Sequence, residues 1–187
     1  DLGIAPDDAD GLMAMAAGAR GADLLVTIGG ASVGDHDLIQ SVLGEKGLEV
    51  DFWRIAMRPG KPLIFGHFGD VPMLGLPGNP VSALVCGLVF LKPAIAALLG
   101  ANAPGLETRS AVLSGDLGQN DQRQDYLRAT TTKDARGNLV VTPFGKQDSS
   151  MLSRLARADA LILREPHAPA VKAGDAVDII DLGPLGY

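Results

Sequence analysis

Aromatic side chains are scarce in this sequence: Phe, Trp and Tyr make up 4% of 187 residues. That argues against a base-stacking platform for single-stranded nucleic acid. Positive charge is short as well. The 16 Lys and Arg face 22 Asp and Glu, a formal net charge of −6, which disfavours a general nucleic-acid binder. There is one cysteine, Cys86. No disulfide framework or thiolate metal cluster can form within the chain, and inside an apolar run Cys86 reads as a buried structural thiol. Nothing resembles a signal peptide, and no apolar run reaches the roughly 18 residues of a membrane span. The expectation is a cytoplasmic protein with neither nucleic acid nor membrane among its partners. The chain opens on Asp1-Leu2-Gly3-Ile4 without an initiator methionine. That is expected of the C-terminal part of a longer protein.

Apolar residues, by contrast, make up 47% of the chain, enough for a packed core. The length suits one large or two small domains of roughly 100 residues each. The first half alternates helix and strand signals. Asp7 or Asp8 can cap a helix through about Arg20, with Gly21 as its stop. The stretch 23–30 (DLLVTIGG) reads as a parallel strand covered on both faces. Asp35 or Asp37 can cap a helix with Leu38, Ile39, Val42 and Leu43 on one face. A strand over 48–57 follows, then a hairpin turning at Gly69-Asp70, then an apolar helix from Pro80 to Leu99 kinked by Pro93. This is an α/β pattern. Residues 101–106 (ANAPGL) read as a linker. Beyond them, short strand candidates at 108–114, 125–132, 138–143, 160–165 and 176–181, with one helix at 149–158, predict a small β-barrel or sandwich. The domains expected are 1–106 and 107–187.

Several stretches can carry chemistry. Residues 1–106 hold 6 basic against 11 acidic residues, yet Arg54, Arg58 and Lys61 fall together in WRIAMRPGKP. On an extended strand, positions 54 and 58 share a face, with Lys61 close by after the Pro59-Gly60 turn. That suits an anion clamp; the plain alternative is an edge strand protected by charge. TIGGASVGDHD (27–37) is a strand, a glycine turn and a helix start whose amides can meet phosphate. Asp35 and Asp37 there, and Asp7 and Asp8 earlier, are helix caps or carboxylate ligands for Mg²⁺. His36 reads as a surface residue. LPGNPVSA (76–83) places Pro at a first helical turn, Asn79 as cap, and the positive helix end outward; alone, it equally fits an ordinary core helix. RQDYLR (123–128) sets two arginines around an acid, and QDSS (147–150) puts two serines at a helix start.

Taken in series, GIAPDD (3–8), TIGGASVGDHD, FWRIAMRPGKP (52–62), LPGNPVSA, RQDYLR and QDSSMLSRL (147–155) resemble the molybdopterin molybdenumtransferases, the MoeA and gephyrin E-domain family. The resemblance covers essentially the whole chain. It implies a MogA-like molybdopterin-binding α/β domain, incomplete at its N-terminus, followed by a small C-terminal β-barrel. It implies molybdate insertion into adenylylated molybdopterin with release of AMP, assisted by Mg²⁺. It also implies a homodimer of the full-length protein, with the molybdopterin adenylyltransferase as a candidate partner. Carried onto these residues, it makes Asp7 and Asp37 the metal-binding acids and, with Lys61, the catalytic set. Arg54 and Arg58, where the family often has lysines, would hold phosphate or molybdate. Lys61, Ser82, Arg123 or Arg128, and Ser149 or Ser150 would form the oxyanion pocket. Gly29, Gly30, Gly34, Gly78 and Asn79 would line the pterin-phosphate groove, with Ser32 and Pro62 also among the cofactor-binding positions. Two rival readings are a molybdopterin adenylyltransferase and a non-catalytic gephyrin-like scaffold.

Overall fold

The computed structural model of the chain describes residues 1–6, 8–30, 47–101 and 106–183. The helix expected over Leu38 to Leu43, most of the 101–106 linker, and Asp7, Ser32, Gly34 and Asp37 lie outside them. Two units are distinguished: Asp1–Ile55 with Gly60–Ala101, and Ala56–Pro59 with Asn102–Tyr187. The chain therefore leaves the first unit after Ile55 and returns to it at Gly60.

In the first unit, helix α1 (Ala9–Ala17) is capped by Asp8, whose carboxylate accepts the Gly11 amide at 2.7 Å. The helix stops at Gly18, short of the expected Arg20; two glycines within four residues weaken its last turn. Strands β1 (Leu25–Ile28), β2 (Leu48–Trp53), β4 (Ile64–Phe68) and β5 (Val71–Leu76) form a sheet in the order β1-β5-β4-β2. β1 runs parallel to β5, and β4 runs antiparallel to both β5 and β2. The expected Gly69-Asp70 turn joins β4 to β5, pairing Phe68 with Val71. β2 slips register between Val50 and Phe52. Opposite that bulge the partner strand carries Gly66, where a Cβ would lie 2.1 Å from the Glu49 carbonyl oxygen, so no larger residue fits. α1 packs Ala16 onto Leu25, Leu48, Ile64, Val71 and Met73. Ile64 and Met73 are fully buried, each stabilising the fold by roughly 1.5–3 kcal/mol.

The apolar helix runs as α2 (Pro80–Cys86), a π-helical turn (Gly87–Leu91) and α3 (Lys92–Leu98). The π turn is how the helix accommodates Pro93, which has no amide and crowds the preceding turn. Val81, Val85, Cys86 and Leu88 are buried, while Leu84, Ile95, Leu98 and Leu99 are exposed. At 19 residues and mean hydropathy 2.1, this helix is long and apolar enough to cross a membrane by length and composition alone. The expectation that nothing reaches that length is corrected: Ser82, Gly87 and Lys92 interrupt the apolar run but not the helix.

In the second unit all five expected strands form: β6 (Arg109–Leu113), β7 (Gln124–Lys133), β8 (Leu139–Pro143), β9 (Ala160–Arg164) and β10 (Ala176–Asp181). The order is β7-β8-β6-β10-β9, and β9 pairs back to β7, closing a barrel without free edges. The ten-residue β7 closes it, pairing β9 through Asp125–Ala129 and β8 through Ala129–Lys133. Ala111, Leu113, Ala129, Val141, Ile162 and Ile179 fill the interior. A sixth strand, β3 (Met57–Arg58), pairs in parallel with the start of β7.

Candidate functional site

The strand register brings four loops of the first unit to one end of its sheet. Ile28 pairs with Leu76, Gly75 with Ile64, and Ile64 with Trp53. The turns after β1 (Gly29-Gly30), after β2 (Arg54) and after β5 (Pro77-Gly78-Asn79), and the entry to β4 (Lys61-Pro62), therefore all emerge together. Three of these loops follow the carboxyl ends of mutually parallel strands, where α/β sheets bind ligands. Four strands about 4.8 Å apart make this end roughly 14 Å wide.

Gly29 and Gly78 make the floor. The Gly29 amide donates to the Leu76 carbonyl at 3.0 Å, and Gly29 has φ +89°. A Cβ on Gly78 would stand 3.3 Å from Gly29 Cα, so the two backbones touch because neither carries a side chain. Asn79 caps α2, its Oδ1 accepting the amides of Val81 at 3.1 Å and Ser82 at 3.4 Å. Pro80 has no amide to offer. The first-turn donors are thus already used, and Ser82 is buried. An anion at this helix end would meet the macrodipole and the amides of the exposed Gly78 turn, rather than the Val81 and Ser82 amides.

The single strand expected over 48–57 is broken. β2 ends at Trp53, and Arg54 sits at φ +65°, a left-handed conformation unusual outside glycine. Arg54 and Arg58 therefore do not share a strand face, which corrects the clamp geometry. Arg54 is exposed, its guanidinium 3.8 Å above the Trp53 ring, a cation–π contact that holds it still. Lys61 is exposed too. Its carbonyl accepts the Ile55 amide at 3.0 Å, and the Leu63 carbonyl accepts the Arg54 amide at 3.2 Å, so the chain is pinched shut at this point.

Arg58 belongs to the second unit. Its Nη1 donates to Asp121 at 3.2 Å and its Nη2 to Asp125. Arg123 donates to the same Asp121 at 2.6 Å, and this contact foremost holds the Asp121 carboxyl well below the usual carboxylate range. Arg128 is 1% exposed. Its backbone amide and Nε donate to Gln147 Oε1, and its Nη1 to the Asp148 carbonyl at 2.9 Å. Gln147 returns Nε2 to the carbonyls of Arg128 and Phe144. Burial lowers the Arg128 pKa, but an arginine keeps its charge regardless.

The serines do not start a helix. α4 spans Leu152–Leu155, and Ser149 and Ser150 lie in the turn before it. Asp148 accepts from the Ser150 amide and hydroxyl, a local bond that competes with helix capping. Residue types alone did not single out Asn120, Asp121, Asp125 or Gln147. Each also has a partner distant in sequence, such as Arg58 for Asn120, Asp121 and Asp125 and Arg128 for Gln147, though Asp125 and Gln147 stand inside quoted motifs.

The donors expected for a divalent cation, Asp7 and Asp37, are outside the described residues. Among the described residues no group of three or more His, Cys, Asp or Glu could hold a metal. Carboxylate oxygens do have the hardness that Mg²⁺ takes.

Both halves of the chain are similar to known proteins. The family described as "Probable molybdopterin binding domain" matches residues 1–97, and "MoeA C-terminal region (domain IV)" matches residues 110–182. A molybdopterin molybdenumtransferase of Haemophilus influenzae is 37% identical over 96% of this chain and 45% of its own length. One of Bacillus subtilis is 33% identical over 84% of the chain and 36% of its own. The crystal structure of the molybdopterin biosynthesis MoeA protein from Pyrococcus horikosii superposes with a TM-score of 0.76 at 28% identity, covering 96% of this chain and 42% of that one. The chain thus spans less than half the length of these relatives. It belongs to the molybdopterin-binding domain family, with a MoeA-type C-terminal barrel behind the α/β domain.

Proposed function

We propose that this chain carries the pterin- and oxyanion-binding part of a molybdopterin molybdenumtransferase. In this reading residues 1–106 hold adenylylated molybdopterin, and residues 107–187 carry oxyanion-binding candidates of their own. Molybdate is inserted, and the phosphoanhydride is hydrolysed with release of AMP. The observation that carries the reading is the gathering of Gly29-Gly30, Gly78-Asn79, Arg54 and Lys61 at the carboxyl end of one sheet. A dianion beside a pyrophosphate needs fixed amides and concentrated positive charge. Arg54 and Lys61 supply the charge, and the facing glycines let the backbone approach. In the barrel the candidates stay Arg123 or Arg128 and Ser149 or Ser150: Arg123 donates its Nε and Nη2 to Asp121, Arg128 is buried with its Nε on Gln147 and its Nη1 on the Asp148 carbonyl, and the Ser150 hydroxyl bonds Asp148. Asp7 and Asp37 would hold Mg²⁺, which supplies charge stabilisation to the leaving phosphate. The site would be cytoplasmic and completed by dimerisation of the full gene product.

The test is Lys61→Ala in the full gene product, assayed for molybdate-dependent AMP release. Loss of roughly 10²–10³-fold in turnover at an unchanged melting temperature is expected, since Lys61 is exposed. Unimpaired insertion would sink the reading in favour of a scaffold. ATP-dependent adenylylation without insertion would sink it in favour of an adenylyltransferase. The curated relatives named above carry the transferase name, and neither alternative has that support.

A further inference from the structure

We propose that Asp125 is a positioning residue for the oxyanion site, acting through Arg58; this rests on the role given above to Arg54 and Lys61. Residues 54–63 form a loop closed at its base by the Ile55–Lys61 and Arg54–Leu63 hydrogen bonds. Arg54 and Lys61 stand at that base, and Arg58 stands at the tip. The tip is held by a two-residue strand, with Met57 opposite Gln124 and Arg58 opposite Asp125, and by the Gln124 amide donating to the Ala56 carbonyl at 2.9 Å. So short a strand has little stability of its own.

The fastening is the ion pair. Asp125 is 3% exposed, and one of its oxygens takes Arg58 Nη2. Arg58 also reaches Asp121 at 3.2 Å and the Asn120 side-chain oxygen at 3.5 Å. Asn120 is itself locked, its Nδ2 donating to the carbonyls of Arg123, Arg164 and Glu165. A planar guanidinium reaches all three acceptors at once, which an ammonium cannot. The other Asp125 oxygen is buried with no hydrogen-bond partner among the described residues. A buried carboxylate half unsatisfied is a poor source of stability, and apolar packing would serve as well or better. What it provides is a fixed place for Arg58. With two acids upon it, Arg58 has its charge offset, so it holds the loop tip and leaves Arg54 and Lys61 to meet the oxyanion.

Asp125→Asn and Arg58→Lys in the full gene product test this, with the molybdate KM, kcat, thermal unfolding and amide hydrogen exchange measured together. Both variants are expected to raise the molybdate KM about 10-fold or more with a smaller change in kcat. Exchange should quicken over residues 56–61 while the β9 and β10 amides stay protected. An unchanged KM overturns the proposal, as does a loss of activity that merely tracks the loss of folded protein. Arg58→Lys at wild-type KM also overturns it, because a direct ligand needs the charge and a tether needs the fork. Unchanged exchange at 56–61 in Asp125→Asn overturns the tether even if Lys61→Ala has already sunk the site reading, so the two failures are told apart.

Discussion

At the scale of single residues, the site depends on backbone that most side chains would forbid. Gly78 and Gly29 touch, and Arg54 takes a left-handed conformation with its guanidinium on Trp53. Asn79 combines two tasks that one substitution can separate. Asn79→Ala removes the acceptor for two amides and should lower the unfolding free energy by about 1 kcal/mol in urea titration. Asn79→Asp keeps the cap, so stability should hold, but it places a negative charge at the helix end proposed above to meet an anion. Binding of adenylylated molybdopterin should weaken in that variant, measured by calorimetry; equal binding would place the ligand elsewhere. The cap was legible because Asn-Pro before an apolar run is a local rule. The conformation of Arg54 was not, because nothing in an arginine's own preferences points to positive φ. Tertiary contacts impose it.

Among elements, β7 does the most. It closes the barrel against two neighbours and receives β3. Through Arg128 it also holds the turn that carries Ser149. Gln147→Ala would take the acceptor from the Arg128 Nε and backbone amide and a donor from the Phe144 and Arg128 carbonyls, the latter keeping the Phe144 amide. The expected cost is about 2–3 kcal/mol in equilibrium unfolding, together with weaker molybdate binding. Gln147→Glu keeps the acceptor and should recover part of the stability. The five barrel strands were readable from alternation and turn residues, and the β4–β5 hairpin from Gly69-Asp70. The π turn was not, since it depends on how Pro93 is absorbed within the helix. The break between β2 and β3 was also hidden: an apolar and basic stretch gives no local sign that its middle pairs with a strand about 67 residues away.

For the molecule as a whole, acid sensitivity should concentrate in the second unit. Asp116, Asp121, Asp134 and Asp148 all have carboxyls held below their ordinary value of 3.8. The leading causes are Lys172, Arg123, Asn138 and the Ser150 amide, respectively. A folded pKa below the unfolded one contributes stability that is present above about pH 4 and lost as pH falls further. The melting temperature should therefore be level from pH 6 to about 4.5 and decline below it. The decline should be shallower in 1 M salt, because these groups are exposed and screened. A flat profile to pH 2 would contradict it.

The detour of residues 56–59 into the barrel has a further consequence, for how such a protein can be cut or inherited. The chain passes between its two units three times, after Ile55, after Pro59 and after Ala101. A protease clip between Ala101 and Leu106 would leave β3 still laid against β7. A gene boundary drawn at the same place would give a barrel without its sixth strand. The two modules are stitched rather than strung, so recombination at the visible linker would carry the first unit whole, with β3 attached to it, and leave the barrel short of that strand.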